Sequence, residues 1–197
     1  MFNFQQDPYL NFKFLIDSAT QKGVAEPTAM SLSTVDKNLN PSVRVVYCKQ
    51  HSPEGFIFYT NYNGAKSQDI NIHPQVCINF YWADLWQQIR INGKAQKVDR
   101  ATSEKYFATR ARLSQLGAWA SDQSEVLNKR EDFFARLKKY EEQFADQEVP
   151  CPPHWGGFLI VPERYEFWFG TEGRLHERYV YERPTPSAAW TRHMLNP

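Results

Sequence analysis

The sequence predicts a mainly β fold with flanking helices, an antiparallel sheet or barrel with a few helices packed around it. Apolar residues alternate at period two over several short stretches, and most of these stretches follow one another through short turns rather than helical crossovers. The 197 residues are 42% hydrophobic and 23% charged, enough for one core with few residues left for a second.

The elements follow in order. Asp7 before Pro8 reads as a helix N-cap with proline in the first turn, and Phe12, Leu15, Ile16 and Ala19 recur at helical spacing until Gly23. From Thr28 the period changes to two, giving strands over 28–35, 42–49 and 56–60, with turns over 36–41 and 50–55. A short helix is expected over 66–72, stopped by His73-Pro74. Strands over 76–81 and 87–98 follow, with Ala83-Asp84 turning between them. Asp99 caps a helix that runs through Phe107 and Arg110, and Ser124 or Asn128 opens a longer one through Phe144. Pro150, Pro152 and Pro153 then break the chain before strands over 158–161, 164–169, 178–182 and 190–195. The roughly 45 residues after Pro150 are too few for a separate core. The chain therefore reads as a single domain over 1–197, with 150–197 completing the same sheet.

Composition excludes several functions. A formal net charge of +1 gives no general field for nucleic acid or an anionic membrane. Without a basic surface, the aromatic content of 15% reads as core and interface residues rather than as stacking platforms. Residues 1–10 lack the pattern of an export signal, and no apolar run approaches the roughly 20 residues of a membrane span. Cys48, Cys77 and Cys151 are odd in number and widely spaced, which fits a reducing cytoplasm, and the five histidines lack metal-ligand spacing.

Three groups of residues are candidates for chemistry. Tyr106, Arg110 and Ser114 are spaced four apart and share a helix face if the helix extends that far; their donors suit a phosphate dianion or form a solvated polar face. Arg112 beside them points elsewhere. Arg44 and Lys49 fall on opposite strand faces unless a bulge intervenes, while Lys66 stands near a helix start where an anion would be favoured. The third group is Trp155-Gly156-Gly157-Phe158, then Glu166-Phe167-Trp168, then the run 174–178, where Arg174, His176 and Arg178 alternate, so in an extended segment they share one face and call for an anionic or electron-rich partner. An exposed edge with Glu172 and Glu177 as counter-charges is the other reading. No glycine-rich dinucleotide motif, Walker loop or nucleophile elbow is present.

Taken together, the chain resembles the pyridoxamine (pyridoxine) 5′-phosphate oxidase family. The matching stretches are EPTAM at 26–30, RVVYCK at 44–49, FYTN at 58–61, KYFATRARLSQLGAWASDQS at 105–124, PPHWGGF at 152–158 and EFWFGTEGRLHER at 166–178. The resemblance implies an FMN-binding split β-barrel, antiparallel and Greek-key-like, working as a homodimer with shared active sites. It implies that Arg44, Lys66 and Ser124 contact the FMN phosphate or ribityl chain, with Lys49 reaching cofactor and substrate alike. Tyr59, Thr60, Gln88, Gln123, Trp168 and Arg178 would be the remaining flavin contacts. Lys49, Tyr106, Arg110 and Ser114 would hold the substrate phosphate, and Arg174 and His176 would flank the pyridine ring as the catalytic pair. The implied reaction oxidises pyridoxamine or pyridoxine 5′-phosphate to pyridoxal 5′-phosphate, with O2 as acceptor and H2O2 as by-product.

Two departures from the family pattern stand out. Ala65 occupies the position before Lys66 where the family usually has arginine, and six residues precede Asp7 where family members usually carry a longer arm. The first implies a weaker FMN contact and the second a shorter cover over the substrate. The alternatives are a related split-barrel flavin oxidase acting on another substrate, such as a dihydrophenazine precursor, and a non-enzymatic flavin- or pyridoxal-phosphate-binding protein.

Overall fold

The computed structural model describes residues 1–197. Helix α1 (Pro8–Gln21) starts where expected: the Asp7 carboxylate accepts from the Tyr9 backbone N–H, and Phe12, Leu15, Ile16 and Ala19 are buried along one face. Strands β1 (Ala29–Val35) and β2 (Pro41–Tyr47) form an antiparallel pair, and β3 (Gln50–Ser52) with β4 (Gly55–Asn61) forms a second. The segment 50–55, read as a turn, is thus a small hairpin in its own right. Helix α2 (Ala65–Ile72) leads to β5 (Gln75–Trp82) and β6 (Gln87–Lys97), joined by a 3-10 turn that ends with Trp86 in the left-handed region.

The stretch read as one helix from Asp99 through Arg110 is two. Helix α3 (Arg100–Ala108) is capped by Asp99, and α4 (Arg112–Ala120) begins after an extended Ala111. Their separation is stabilised by Gln115, whose buried side-chain amide donates to the Phe107 carbonyl at 3.0 Å. Helix α5 (Arg130–Gln143) is opened by Lys129 rather than by Ser124 or Asn128.

Strands 158–161 and 164–169 are likewise a single strand, β7 (Trp155–Phe169). Pro162 does not break it, because the register shifts at Asn92/Gly93 and Pro162 lies at that irregularity. Only glycine fits opposite: a Cβ on Gly93 would lie 2.1 Å from the Val161 carbonyl oxygen. One edge of β7 pairs with β6 over most of its length. The other pairs with β4 over 155–160 and with β8 (Glu177–Glu182) over 164–169, and β9 (Thr191–Leu195) extends β8.

The sheet order is therefore β2-β1-β5-β6-β7-β4-β3 with β8 and β9 branching from β7, a mainly antiparallel sheet curled into a split half-barrel. Its interior is filled by α1 and by Phe56, Phe58, Phe80, Ile91, Ile160 and Phe167. A smaller cluster of Phe107, Leu116, Phe144, Val149 and Trp155 fastens the α3–α5 layer to the start of β7. Residues before Asp7 are tied in as well: the buried Asn11 amide bonds to Asn3 and Gln6, and Phe2 and Phe4 pack on Phe167, Tyr179 and Tyr181. No helix is long and apolar enough to cross a membrane.

Candidate active site

A cavity of about 890 Å³ lies between β2, β4 and the α3–α4 layer. Arg44, Lys49, Lys66 and Arg110 line it, and no carboxylate does. Four cations without an acid among the lining residues make a site for an anionic ligand, and its volume suits a cofactor or substrate.

At one end, Arg44 donates to the Thr34 hydroxyl at 2.6 Å and the Ser42 hydroxyl at 2.8 Å, and Asp69 stands 3.9 Å away. The Lys66 ammonium donates to the Gln123 side-chain oxygen at 2.6 Å and the Thr60 hydroxyl at 3.2 Å. Burial and then the nearby Arg44 charge lower its pKa. Both cations thus retain donors for a ligand beside the start of α2. The first N–H of α2 is already engaged, since Ala65 N donates to Ser124 Oγ at 3.1 Å. Ser124, held with φ at 75°, therefore caps this helix and does not line the cavity.

At the other end, Tyr59 and Tyr106 stack with ring centroids 4.0 Å apart, and the Trp155 ring lies nearly parallel to both. Gly157 permits this, because a Cβ there would lie 2.9 Å from the Tyr59 ring. The Tyr59 hydroxyl and Arg110 Nη1 are buried and have no hydrogen-bond partner. Burial, with smaller contributions from Tyr106 and Tyr62, pushes the Tyr59 phenol up to about 12, so it is a protonated donor at neutral pH. Buried donors without partners are costly, and an anion in the cavity would satisfy them.

The structure thus brings together Arg44, Lys49, Tyr59, Thr60, Lys66, Tyr106, Arg110, Ser114 and Gln123. Tyr106, Arg110 and Ser114 share the cavity although the chain turns between α3 and α4. Arg44 and Lys49 share it because β2 ends at Tyr47: Cys48 N donates to Thr28, Lys49 N donates to Ile57 on β4, and the alternation restarts. The cavity also includes Trp155, from the third candidate segment, and Asn61, whose backbone and side chain carry no charge that would mark them in the sequence.

Gln88, Trp168, Arg174, His176 and Arg178 lie outside the cavity, and all but Arg174 are grouped around Trp168. Trp168 pairs with Gln88 on one side and Arg178 on the other, and its ring centroid lies 4.7 Å from that of His176. The extended run expected over 174–178 is not formed. Glu172–Arg174 is a 3-10 turn, Gly173 and Arg174 have φ of 65° and 61°, and only from Glu177 is the chain a strand. His176 Nδ1 accepts from the Thr171 backbone N–H at 3.2 Å, which leaves Nε2 as the free ring nitrogen. Arg178 is bound to Glu166.

The fold is a split half-barrel with a cationic, acid-free cavity, and comparison with known proteins specifies the family. The profile of the family described as pyridoxamine 5′-phosphate oxidase matches residues 16–144, and that of the pyridoxine 5′-phosphate oxidase C-terminal dimerisation region matches 155–197. The pyridoxine/pyridoxamine 5′-phosphate oxidase of Bdellovibrio bacteriovorus is 51% identical over 197 residues, the whole of both chains. The enzyme of that name from Rubrobacter xylanophilus is 46% identical, covering 97% of this chain and 87% of its own. Among solved structures, PhzG from Burkholderia lata, in complex with tetrahydrophenazine-1-carboxylic acid, superposes with a TM-score of 0.91 at 28% identity, covering 97% and 93% of the two chains. The chain belongs to the pyridoxamine 5′-phosphate oxidase family, a family of oxidoreductases, and carries that family's C-terminal dimerisation region.

Proposed function

We propose that this protein oxidises pyridoxamine 5′-phosphate or pyridoxine 5′-phosphate to pyridoxal 5′-phosphate with FMN as cofactor and O2 as electron acceptor. For the alcohol, R–CH2OH and O2 give R–CHO and H2O2; for the amine, R–CH2NH2, O2 and water give R–CHO, H2O2 and ammonia. The observation that carries the reading is the set of four cations with no carboxylate around one cavity, two of its donors buried and unpartnered. An unphosphorylated substrate would have little use for Lys49, Tyr106, Arg110 and Ser114 together.

The donor set fits a phosphate-bearing flavin. Arg44 and Lys66, with Gln123 and Thr60 bracing the lysine, would hold the FMN phosphate or ribityl chain. FMN bound there would supply the two-electron redox chemistry that no side chain of the protein offers. Lys49, Tyr106, Arg110 and Ser114 bind the substrate phosphate, remote from the reacting carbon, so that their binding energy orients the ring.

The predicted site residues outside the cavity complete the site from another subunit. The active unit is a homodimer in which the cavity of one copy meets Gln88, Trp168, Arg174, His176 and Arg178 of the other; the match of 155–197 to a dimerisation region supports this. Arg174 places a fixed positive charge beside the electron-rich pyridine, and His176 offers Nε2 as a hydrogen-bonding or proton-moving group. The whole chain works as one domain, since a single sheet runs from β1 to β9. Three free cysteines suit the cytoplasm.

The test is direct. The purified protein, loaded with FMN, is given each ester in air while aldehyde and peroxide are followed. Stoichiometric aldehyde and peroxide support the reading. Bound flavin with no turnover of either ester, but oxidation of a dihydrophenazine carboxylate, would shift the assignment to the chemistry for which the PhzG likeness argues.

A further inference from the structure

Arg110 is held in an unusual way for a half-buried arginine. Its guanidinium makes no ion pair or hydrogen bond to the protein, and Nη1 is buried without a partner. Two aromatic faces hold it instead. Its Cζ lies 4.7 Å from the Trp155 ring centroid and 5.5 Å from that of Phe107. The tryptophan is a rigid support. It is 5% exposed, its backbone N–H donates to Pro152, and its carbonyl accepts from Arg100. Phe107 packs edge-on against its ring at 5.0 Å.

This arrangement differs in kind from the one around Arg44, whose donors are largely taken by Thr34, Ser42 and Leu32. A carboxylate beside Arg110 would fix it equally well, but would neutralise its charge and take the fork needed for a bidentate phosphate contact. An indole face fixes the guanidinium plane through stacking and leaves the in-plane N–H donors free.

We infer that Trp155 is a positioning residue of the anion site: its ring face holds the Arg110 guanidinium so that the donors remain available to the phosphate of the bound ester. The inference rests on the proposed assignment of Arg110 to the substrate phosphate. It makes Trp155 a determinant of selectivity for phosphorylated over unphosphorylated substrate, acting through Arg110.

The test uses the FMN-loaded protein with Trp155→Leu and Trp155→Phe. Steady-state constants are measured for pyridoxamine 5′-phosphate and for pyridoxamine, and the dissociation constant of inorganic phosphate is measured by calorimetry. Trp155→Leu raises KM for the ester and the phosphate dissociation constant together, by about five- to thirty-fold, the range expected for losing a desolvated cation–π contact. KM for pyridoxamine, which carries no phosphate, rises much less than KM for the ester, and the ratio of the two rises is the readout that a general packing defect would not move. Trp155→Phe, with a smaller ring face, gives a rise of about two- to five-fold and decides the matter alone if the leucine variant does not fold.

Equal losses for pyridoxamine and its phosphate would overturn the inference and leave Trp155 a packing residue. Unchanged phosphate affinity in both variants would overturn it as well. If the wild type oxidises neither ester, the proposed function fails, yet the phosphate dissociation constants still decide the role of Trp155.

Discussion

Glu166 and Arg178 are joined by two hydrogen bonds, from Arg178 Nε at 3.0 Å and Nη2 at 2.7 Å, both accepted by Glu166 Oε1. The other carboxylate oxygen accepts from Arg164 at 2.9 Å and from Arg90. Three guanidinium groups thus converge on one carboxylate that is 2% exposed, on the strand that also carries Trp168. Removing the carboxylate leaves Arg90 and Arg178 without a counter-charge and Arg164 with only the more distant Glu182, 4.0 Å away. Because the arginines keep partial access to water, Glu166→Gln should destabilise the protein by about 2–3 kcal/mol, toward the low end for a broken buried pair. Chemical denaturation measures this, and a loss below about 0.5 kcal/mol would place the cluster among ordinary surface ion pairs.

The same cluster predicts a pH dependence. Burial alone would raise the pKa of Glu166, but the hydrogen bonds from Arg178 and Arg164 and the charge of Arg90 outweigh it and hold the pKa below its ordinary 4.5. A carboxylate with a depressed folded-state pKa contributes stability above its unfolded value and loses it as pH falls through the folded one. The stability gap between wild type and Glu166→Gln should therefore be constant from pH 7 to pH 5 and narrow as pH drops below about 4.5. A gap that narrowed between pH 7 and pH 5 would contradict this.

Arg174 and Arg178 lie close in sequence but should separate functionally. Arg174 is exposed and sits in a tight turn, whereas Arg178 is anchored on Glu166. Arg174→Ala should lower kcat by at least about ten-fold while FMN affinity stays within about two-fold, the signature of an interaction made at the reacting ring rather than with the cofactor. Comparable loss of flavin would assign Arg174 to the wrong ligand.

The two cationic ends of the cavity should also separate. Lys66→Ala should weaken FMN binding, read by flavin fluorescence on titration, with little effect on substrate KM once flavin saturates. Arg110→Ala should raise the KM for the ester by about ten-fold or more, as expected for losing a charge-assisted contact, and leave FMN binding intact. Swapped effects would reverse the assignment of the two ends.

Much of this was visible in the residues, and the failures have identifiable causes. The Asp7 cap, the apolar face of α1 and the alternation of β1, β5 and β6 are local signals and appear as expected. The break between α3 and α4 carries no glycine or proline; it is stabilised by the long-range cap from Gln115 onto Phe107. Pro162 looked like a strand end, yet the register shift facing it at Gly93 absorbs the missing N–H. The sharing of one cavity by Arg44 and Lys49 depends on a change of pairing partner at Cys48, which alternation within one strand does not encode. Nearly all cavity residues were named from the family motifs, whereas Trp155 matters through a contact with Arg110 that is 45 positions away in sequence and visible only in space.

The central claim is that each active site joins the cavity of one copy to the Arg174–Arg178 segment of another. Mixed dimers test it most directly. Arg110→Ala and Arg174→Ala, each nearly inactive at low substrate, are co-expressed with different tags and the heterodimer fraction is quantified. Random pairing makes half the dimers mixed, each with one intact and one doubly altered site, so activity should return to about a quarter of wild type. Mixed dimers that form but stay as inactive as either parent would show that both arginines serve the site from the same chain.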